Sequence, residues 1–238
     1  MIEGEVQFFM PYYGIDWSYI VYVLPALILA MWAQHNVTST FQKYSRVPSA
    51  MTGADAARLV LQGYGIGNVS VGRIKGQLTD HYDPRTNAIS LSETVYDVRT
   101  AAAVGVAAHE AGHAAQYAEN YGPIKLRAAI IPLTNFGSNL AMPLVLLGLL
   151  LSFESLAYLG VICFGVSVVF QLITLPVEFD ASRRAVKALT DSGALSNEGL
   201  SAAKQVLTAA ALTYVAALAV AIGNLLRLLT LVNRSRRD

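Results

Sequence analysis

Charge and cysteine are the two scarcities of this chain. Only 14% of its 238 residues are Asp, Glu, Lys or Arg, against roughly 25% in an average soluble domain. The 17 basic and 16 acidic residues leave a formal charge of +1, so the basic surplus of a nucleic-acid binder is missing and no nucleic-acid partner is expected. The single cysteine, Cys163, excludes a disulfide framework, a zinc finger and a multi-thiolate cluster. It sits in an apolar run and reads as a small buried or lipid-facing hydrophobe. No internal repeat or low-complexity tract is present. What abounds is apolar surface: 54% of the chain is hydrophobic, which excludes a disordered chain.

The apolar residues are concentrated. Four stretches lack any charged side chain and approach or exceed the roughly 20 helical residues that cross a hydrocarbon core: Trp17 to about Ala33, Ala128 to Phe153, Ser155 to Val177 and Gln205 to Leu226. Trp17, Tyr19, Tyr22 and Trp32 lie near the ends of the first, as an aromatic belt requires. A signal peptide does not fit that stretch, because Met1–Asp16 holds three acids and no base, whereas a signal begins with a positive region. The expectation is an α-helical polytopic membrane protein with about four transmembrane helices and the lipid bilayer as a partner.

Two polar segments remain, 35–127 with nine Lys/Arg and 178–204 with four, while the amino-terminal tail and the Phe153–Ser155 turn have none. The positive-inside rule assigns both segments to the cytoplasm. Spans two and three form a hairpin, so the two segments meet on one side of the membrane. If the fourth run spans, Arg234, Arg236 and Arg237 end up outside. The alternative is that its Ala-rich half, Ser201–Ala219, packs on the cytoplasmic domain as an amphipathic or half-buried helix.

Within the first polar segment, Thr52-Gly-Ala-Asp55 signals a capped helix start, with an end near Gly63-Tyr-Gly65. Val69, Val71, Ile74 and Leu78 are strand-like, Asp83–Asn87 is a turn and Ala88–Ser92 an alternating strand. A long Ala-rich helix is expected from about Thr94 to Glu119.

That helix contains His109-Glu110-Ala-Gly-His113. Residues four apart stack on one helix face, so two imidazoles converge on one metal ion. Glu110 projects about a third of a turn round, near enough to reach a metal-bound water without ligating the metal. A catalytic zinc usually takes three protein ligands, so a third is needed. His35, at the end of the first span, fits an interfacial role. His81, beside Asp80, is a candidate substrate contact or ligand. Glu178, just past the third span, completes a His₂Glu set, with Asp180 as the alternative ligand. First-turn acids favoured by a helix dipole are the competing explanation for both. If Glu178 ligates, Asp180 is free to hold the outer nitrogen of a metal-bound histidine.

Four runs together carry a resemblance: Gln77-Leu-Thr-Asp-His-Tyr-Asp-Pro84, Ala107-Ala-His-Glu-Ala-Gly-His-Ala-Ala-Gln116, Pro176-Val-Glu-Phe-Asp-Ala-Ser-Arg-Arg-Ala185 and Ala209-Ala-Ala-Leu-Thr-Tyr-Val-Ala216. Over nearly its whole length the chain resembles the bacterial YugP-type membrane zinc metallopeptidases. The resemblance implies a neutral, Zn²⁺-dependent peptidase with His109, His113 and Glu178 as metal ligands. The layout is also similar to HtpX and the prenyl-protease class of membrane gluzincins, in which two spans separate the HExxH helix from a Glu-x-x-x-Asp motif. Here Ser182 stands four residues after Glu178, and the acid is Asp180.

The domain plan expected is therefore a tail and first transmembrane helix (1–34), a small α+β zincin-like catalytic domain at the membrane surface with a short β-hairpin and the HExxH helix (35–127), a transmembrane hairpin (128–177), a third-ligand segment (178–204) and a C-terminal helix with a basic tail (205–238). Glu110 would accept the proton of the attacking water. A strand within Arg73–Tyr82 would hold substrate backbone by β-augmentation. Tyr214 and the Arg183/Arg184 pair are candidates for the developing oxyanion, with an interfacial tyrosine the plainer reading of Tyr214.

The function expected is a zinc endopeptidase in the bacterial inner membrane, acting at the cytoplasmic surface on membrane proteins or peptides. Two other classes compete: a site-2-type intramembrane protease and a non-catalytic zinc-containing scaffold or regulator. Arg99, Glu119 and Lys125 close around the helix weigh against the former, and an intact Glu110 against the latter. Gly148, Gly160 and Gly165 suit close helix packing, within the chain, in a homo-oligomer or against a membrane regulator.

Overall fold

A computed structural model describes residues 17–235; the acidic tail before Trp17 and the bases Arg236 and Arg237 lie outside the described residues. A π-helical turn, Tyr19–Val23, leads into α1 (Leu24–Tyr44), followed by α2 (Gly53–Gly63), β1 (Ser70–Arg73), β2 (His81–Asp83) and β3 (Ala88–Leu91). Then come α3 (Ala101–Ala118), α4 (Gly122–Leu150), α5 (Glu154–Ser192) and α6 (Asn197–Ser235). The fold is mostly helical with one small sheet. Four helices are long and apolar enough to cross a membrane: Tyr19–Tyr44, α4, α5 and α6. At 39 residues each, α5 and α6 are about 58 Å long, nearly twice a hydrocarbon core of about 30 Å. Their apolar parts therefore continue into a polar layer, which is how Glu178 reaches the same layer as α3.

Small residues set the helix spacing. A Cβ on Gly148 would lie 2.3 Å from Ala157 N, and on Gly160 2.7 Å from Ala141 O, so the α4–α5 hairpin closes only with glycine at these points. Gly137 does the same against Cys163, whereas among the described residues nothing lies within 4 Å of a Cβ on Gly165. Helix α6 runs antiparallel to α1: Gly223 admits the Tyr22 carbonyl, and at the other end the Tyr44 hydroxyl donates to Gln205 Oε1 at 2.6 Å. The fourth apolar run thus lies alongside the first for its whole length. Its first turns also pack on α3, through Ala202 and Val206 against Ala101 and Ala102.

Around α3 lies a compact polar-layer unit. Helix α2 begins with a reciprocal capping box, Thr52 Oγ1 accepting from Asp55 N and Asp55 Oδ2 from Thr52 N. The strand order is β1-β3-β2, with β1 parallel and β2 antiparallel to β3, so the β2–β3 hairpin carries β2 at an outer edge. Ala57, Val60, Ile89, Leu91, Val104 and Ala107 are fully buried between sheet and helices. Helix α3 begins at Ala101, seven residues later than the composition predicts. Residues 94–99 cannot be helical because their carbonyls cap α2: Ala54 N donates to Tyr96 O and Gly53 N to Val98 O. Thr100 then caps α3 by accepting from Ala103 N. The strand expected within Arg73–Tyr82 is also divided. Strand β1 ends at Arg73, a bend follows, and Leu78 there adopts a left-handed φ of 54°.

Candidate active site

Helix α3 presents His109 and His113 one turn apart, their rings 4.7 Å between centroids and nearly perpendicular. Opposite them α5 brings Glu178. The approach depends on Gly112, where a Cβ would stand 2.3 Å from the Ala181 carbonyl. His109 Nε2 lies 3.2 Å and His113 Nε2 3.4 Å from the same oxygen, Glu178 Oε2, and the three residues form a group able to hold a metal ion. These separations have a simple meaning. Four ligands at the about 2.0–2.1 Å bond lengths of zinc are about 3.3–3.4 Å apart along the edges of a tetrahedron. The donor set fits a zinc ion in chemistry, and both histidine–glutamate distances match a tetrahedral edge.

The outer ring nitrogens are held so that both Nε2 atoms face inward. His109 Nδ1 is 3.0 Å from Ser182 Oγ. His113 Nδ1 is 3.0 Å from Gln116 Oε1, and because Gln116 spends its amide N–H groups on Val177 O and Asp180 Oδ2, the ring donates. This corrects the expectation for Asp180, which touches neither imidazole. It anchors Gln116, which holds His113, while Ser182 holds His109 from the position where the related motif has an acid. Arg183 and Arg184, the candidate oxyanion pair, both bind Asp180, Arg184 also binds Glu119, and neither lines the cleft beside the three donors.

A cleft of about 820 Å³ opens beside the three donors. One wall is β2 with its flanks, the opposite wall is α4 from Ile124 to Pro132, and Glu110, Tyr117 and Tyr214 complete it. Tyr214 reaches in from α6 and lines the cleft beside Glu178. His81 is exposed at the rim, its Nδ1 2.8 Å from Thr79 O, and it is not in the donor group; its neighbour Asp80 binds Ser92 instead. His35 is exposed on α1, also outside that group. A smaller cavity of about 400 Å³ between α2 and the end of α5 holds Lys187 and Asp191 and none of the three donors.

Electrostatics favour charge at the centre and neutrality on the wall. Burial pushes the His113 pKa down, but its hydrogen bond to Glu178 and the charges of Glu110 and Glu178 outweigh that, leaving it above the ordinary histidine value. Burial raises the phenol pKa of Tyr82 and of Tyr117, so both are neutral donors at pH 7. Three residues here were not legible as site residues. Gln116 reads as one polar residue in an Ala-rich helix, Ser182 as a departure from a related pattern, and Arg127 as a base at a membrane boundary. Yet Arg127 Nη1 lies 3.0 Å from Glu178 Oε1. The helical i+3 spacing of His113 and Gln116 is the signal that could have identified the first.

Comparison with known proteins agrees with this geometry. A family model described as "Putative neutral zinc metallopeptidase" matches residues 19–233. The chain is 46% identical over 222 residues to the protein named "Putative membrane protease YugP" of Bacillus subtilis (strain 168), covering 92% of this chain and 99% of that relative. No solved structure matches. With the match running through nearly all the described residues, the chain belongs to the neutral zinc metallopeptidase family that this model defines.

Proposed function

We propose that this protein is a zinc-dependent endopeptidase of the bacterial inner membrane, built on a zincin-like catalytic domain and cutting membrane proteins or peptides at the cytoplasmic surface. The observation that carries the reading is that two Nε2 atoms converge on one carboxylate oxygen at 3.2 and 3.4 Å, beside a cleft that a further carboxylate, Glu110, also lines. His109, His113 and Glu178 would hold the zinc, which would supply Lewis acidity and a water whose pKa falls from about 15.7 to about 7. Glu110 accepts the proton of the attacking water at its carboxylate and delivers it to the leaving amine. Strand β2 is at the edge of the sheet and its residues line the cleft, and an extended substrate adds along it as a further strand. That pairing binds backbone and tolerates many side chains. His81 contacts substrate at the rim, and the Tyr214 hydroxyl, within reach of the same centre, is the donor for the developing oxyanion.

Orientation rests on the distribution of Lys and Arg, which favours the cytoplasm for the layer that contains α2, the sheet and α3. The site-2 alternative has less support, because α3 is not among the helices long and apolar enough to span. A closed structural zinc site takes four protein ligands, and the donor group among the described residues has three. The test is metal content and casein hydrolysis by the detergent-purified chain. Glu110→Gln keeps zinc and loses turnover, and Glu178→Ala loses both. Full turnover in Glu110→Gln refutes the mechanism, and a wild type without zinc refutes the enzyme.

A further inference from the structure

Arg127 stands where α4 enters its charge-free run, and bases at that level ordinarily reach out to the headgroups. Its neighbour Lys125 is exposed and bound to Asn120. Arg127 turns inward instead. Its side chain is 29% exposed, its Nη1 is 3.0 Å from Glu178 Oε1, and it lines the cleft. Two buried side-chain polar atoms lack a partner among the described residues, Arg127 Nε and Thr174 Oγ1. Both flank Glu178, the first on its ion-pair partner and the second one helical turn before it. A guanidinium carried into a half-buried site with one nitrogen unsatisfied costs free energy, so the surrounding packing alone does not account for it.

The two oxygens of Glu178 have divided duties. Oε2 faces both imidazoles and Oε1 meets Arg127, with Tyr214 also beside the carboxylate. We propose that Arg127 is a positioning residue of the metal centre: by holding Oε1 it confines Glu178 to ligation through Oε2 alone and keeps that oxygen at tetrahedral distance from His109 and His113. This rests on the reading of the site as a zinc centre. Arginine presents Nη1 from a planar, delocalised head that stays charged, a placement that the compact, flexible ammonium of lysine does not reproduce. It also ties the centre to the membrane hairpin, because Arg127 and Glu178 sit on α4 and α5, whose spacing Gly137, Gly148 and Gly160 set.

The experiment uses the full chain in detergent, comparing wild type, Arg127→Gln, Arg127→Lys and the surface control Lys187→Gln. Zinc affinity is measured by competition with a chelating dye, and the visible spectrum is recorded after Co²⁺ substitution. Loss of such an outer partner typically costs about 10–100-fold in metal affinity. The expectation is that loss in Arg127→Gln, with the intense absorption of four-coordinate cobalt weakened as Glu178 becomes two-oxygen ligated. Arg127→Lys recovers part of the affinity with a spectrum still shifted, and Lys187→Gln matches wild type. If Arg127→Gln fails to fold, the Arg127→Lys spectrum decides: a shift supports the role and a wild-type spectrum overturns it. Unchanged affinity and spectrum in a folded Arg127→Gln overturn this inference alone. A wild type that takes up no zinc overturns it together with the peptidase reading.

Discussion

Replacing Gly112 by alanine should open the metal site without touching a ligand. The new Cβ would stand 2.3 Å from the Ala181 carbonyl oxygen and 3.0 Å from its carbon. Ordinary contact begins at 3.4 Å, and the obstacle is backbone in the middle of α5, so α3 and α5 must separate by about 1 Å. Ala181 is one turn from Glu178, and that movement passes directly into the 3.2 and 3.4 Å spacings between Glu178 Oε2 and the two imidazoles. Zinc sites tolerate deviations of about 0.2 Å in ligand distance, so the three donors cannot all bind. Overpacking a tight contact costs about 1–3 kcal/mol, equivalent to roughly 5–150-fold in zinc affinity if the loss falls on the bound state. Gly105→Ala is the control on the same helix, since its Cβ would meet Ala203 at 3.4 Å and should be accommodated. Chelator competition on the two purified variants measures the difference. Equal zinc affinity in a folded Gly112→Ala would refute the argument that this glycine sets the ligand spacing.

Other consequences can be checked on the same preparation. Gln116→Leu leaves the His113 Nδ1 donor without a partner and Asp180 with one bond fewer, and should weaken zinc binding about 10–100-fold; unchanged affinity would mean that the ring is held by packing alone. In metal-free protein the raised His113 pKa makes its protonated form stabilising, a contribution complete below the unfolded value of about 6.5 and lost as pH rises through the folded value. Zinc takes the unprotonated ring, so the gap in Tm between zinc-loaded and stripped protein should narrow as pH falls from about 8 to about 6. A gap that widens contradicts the sign. Thr52→Ala removes the cap of α2 and should cost about 0.5–2 kcal/mol in chemical denaturation while leaving zinc affinity intact.

Much of the architecture was written in plain chemistry. Charge-free runs mark the spans, because a charge in hydrocarbon is costly wherever it occurs, and the capping box of α2 is local enough to read from Thr52 and Asp55. His109 and His113 were legible because helix geometry alone makes them converge. Glu178 was reachable through the hairpin topology, which brings two distant polar segments to one side. The start of α3 was not legible, since residues 94–99 are diverted by hydrogen bonds to a helix forty residues earlier. Nor were the holders of the ligands. Gln116, Ser182 and Arg127 have roles only once α3, α4 and α5 are packed together, and Asp180 acts through Gln116 rather than on a ring. Spacing along a chain shows which groups can share a helix face; it does not show which neighbour across an interface claims each lone pair.

The most direct test of the central claim is zinc K-edge X-ray absorption on the purified full-length chain, with Glu178→Ala beside it. The account predicts one zinc per chain in the wild type, with two imidazole rings and oxygen ligands in a shell at about 2.0–2.1 Å, and no bound zinc in Glu178→Ala. A spectrum with sulfur or with more than two imidazoles, or one unaltered in Glu178→Ala, would contradict it.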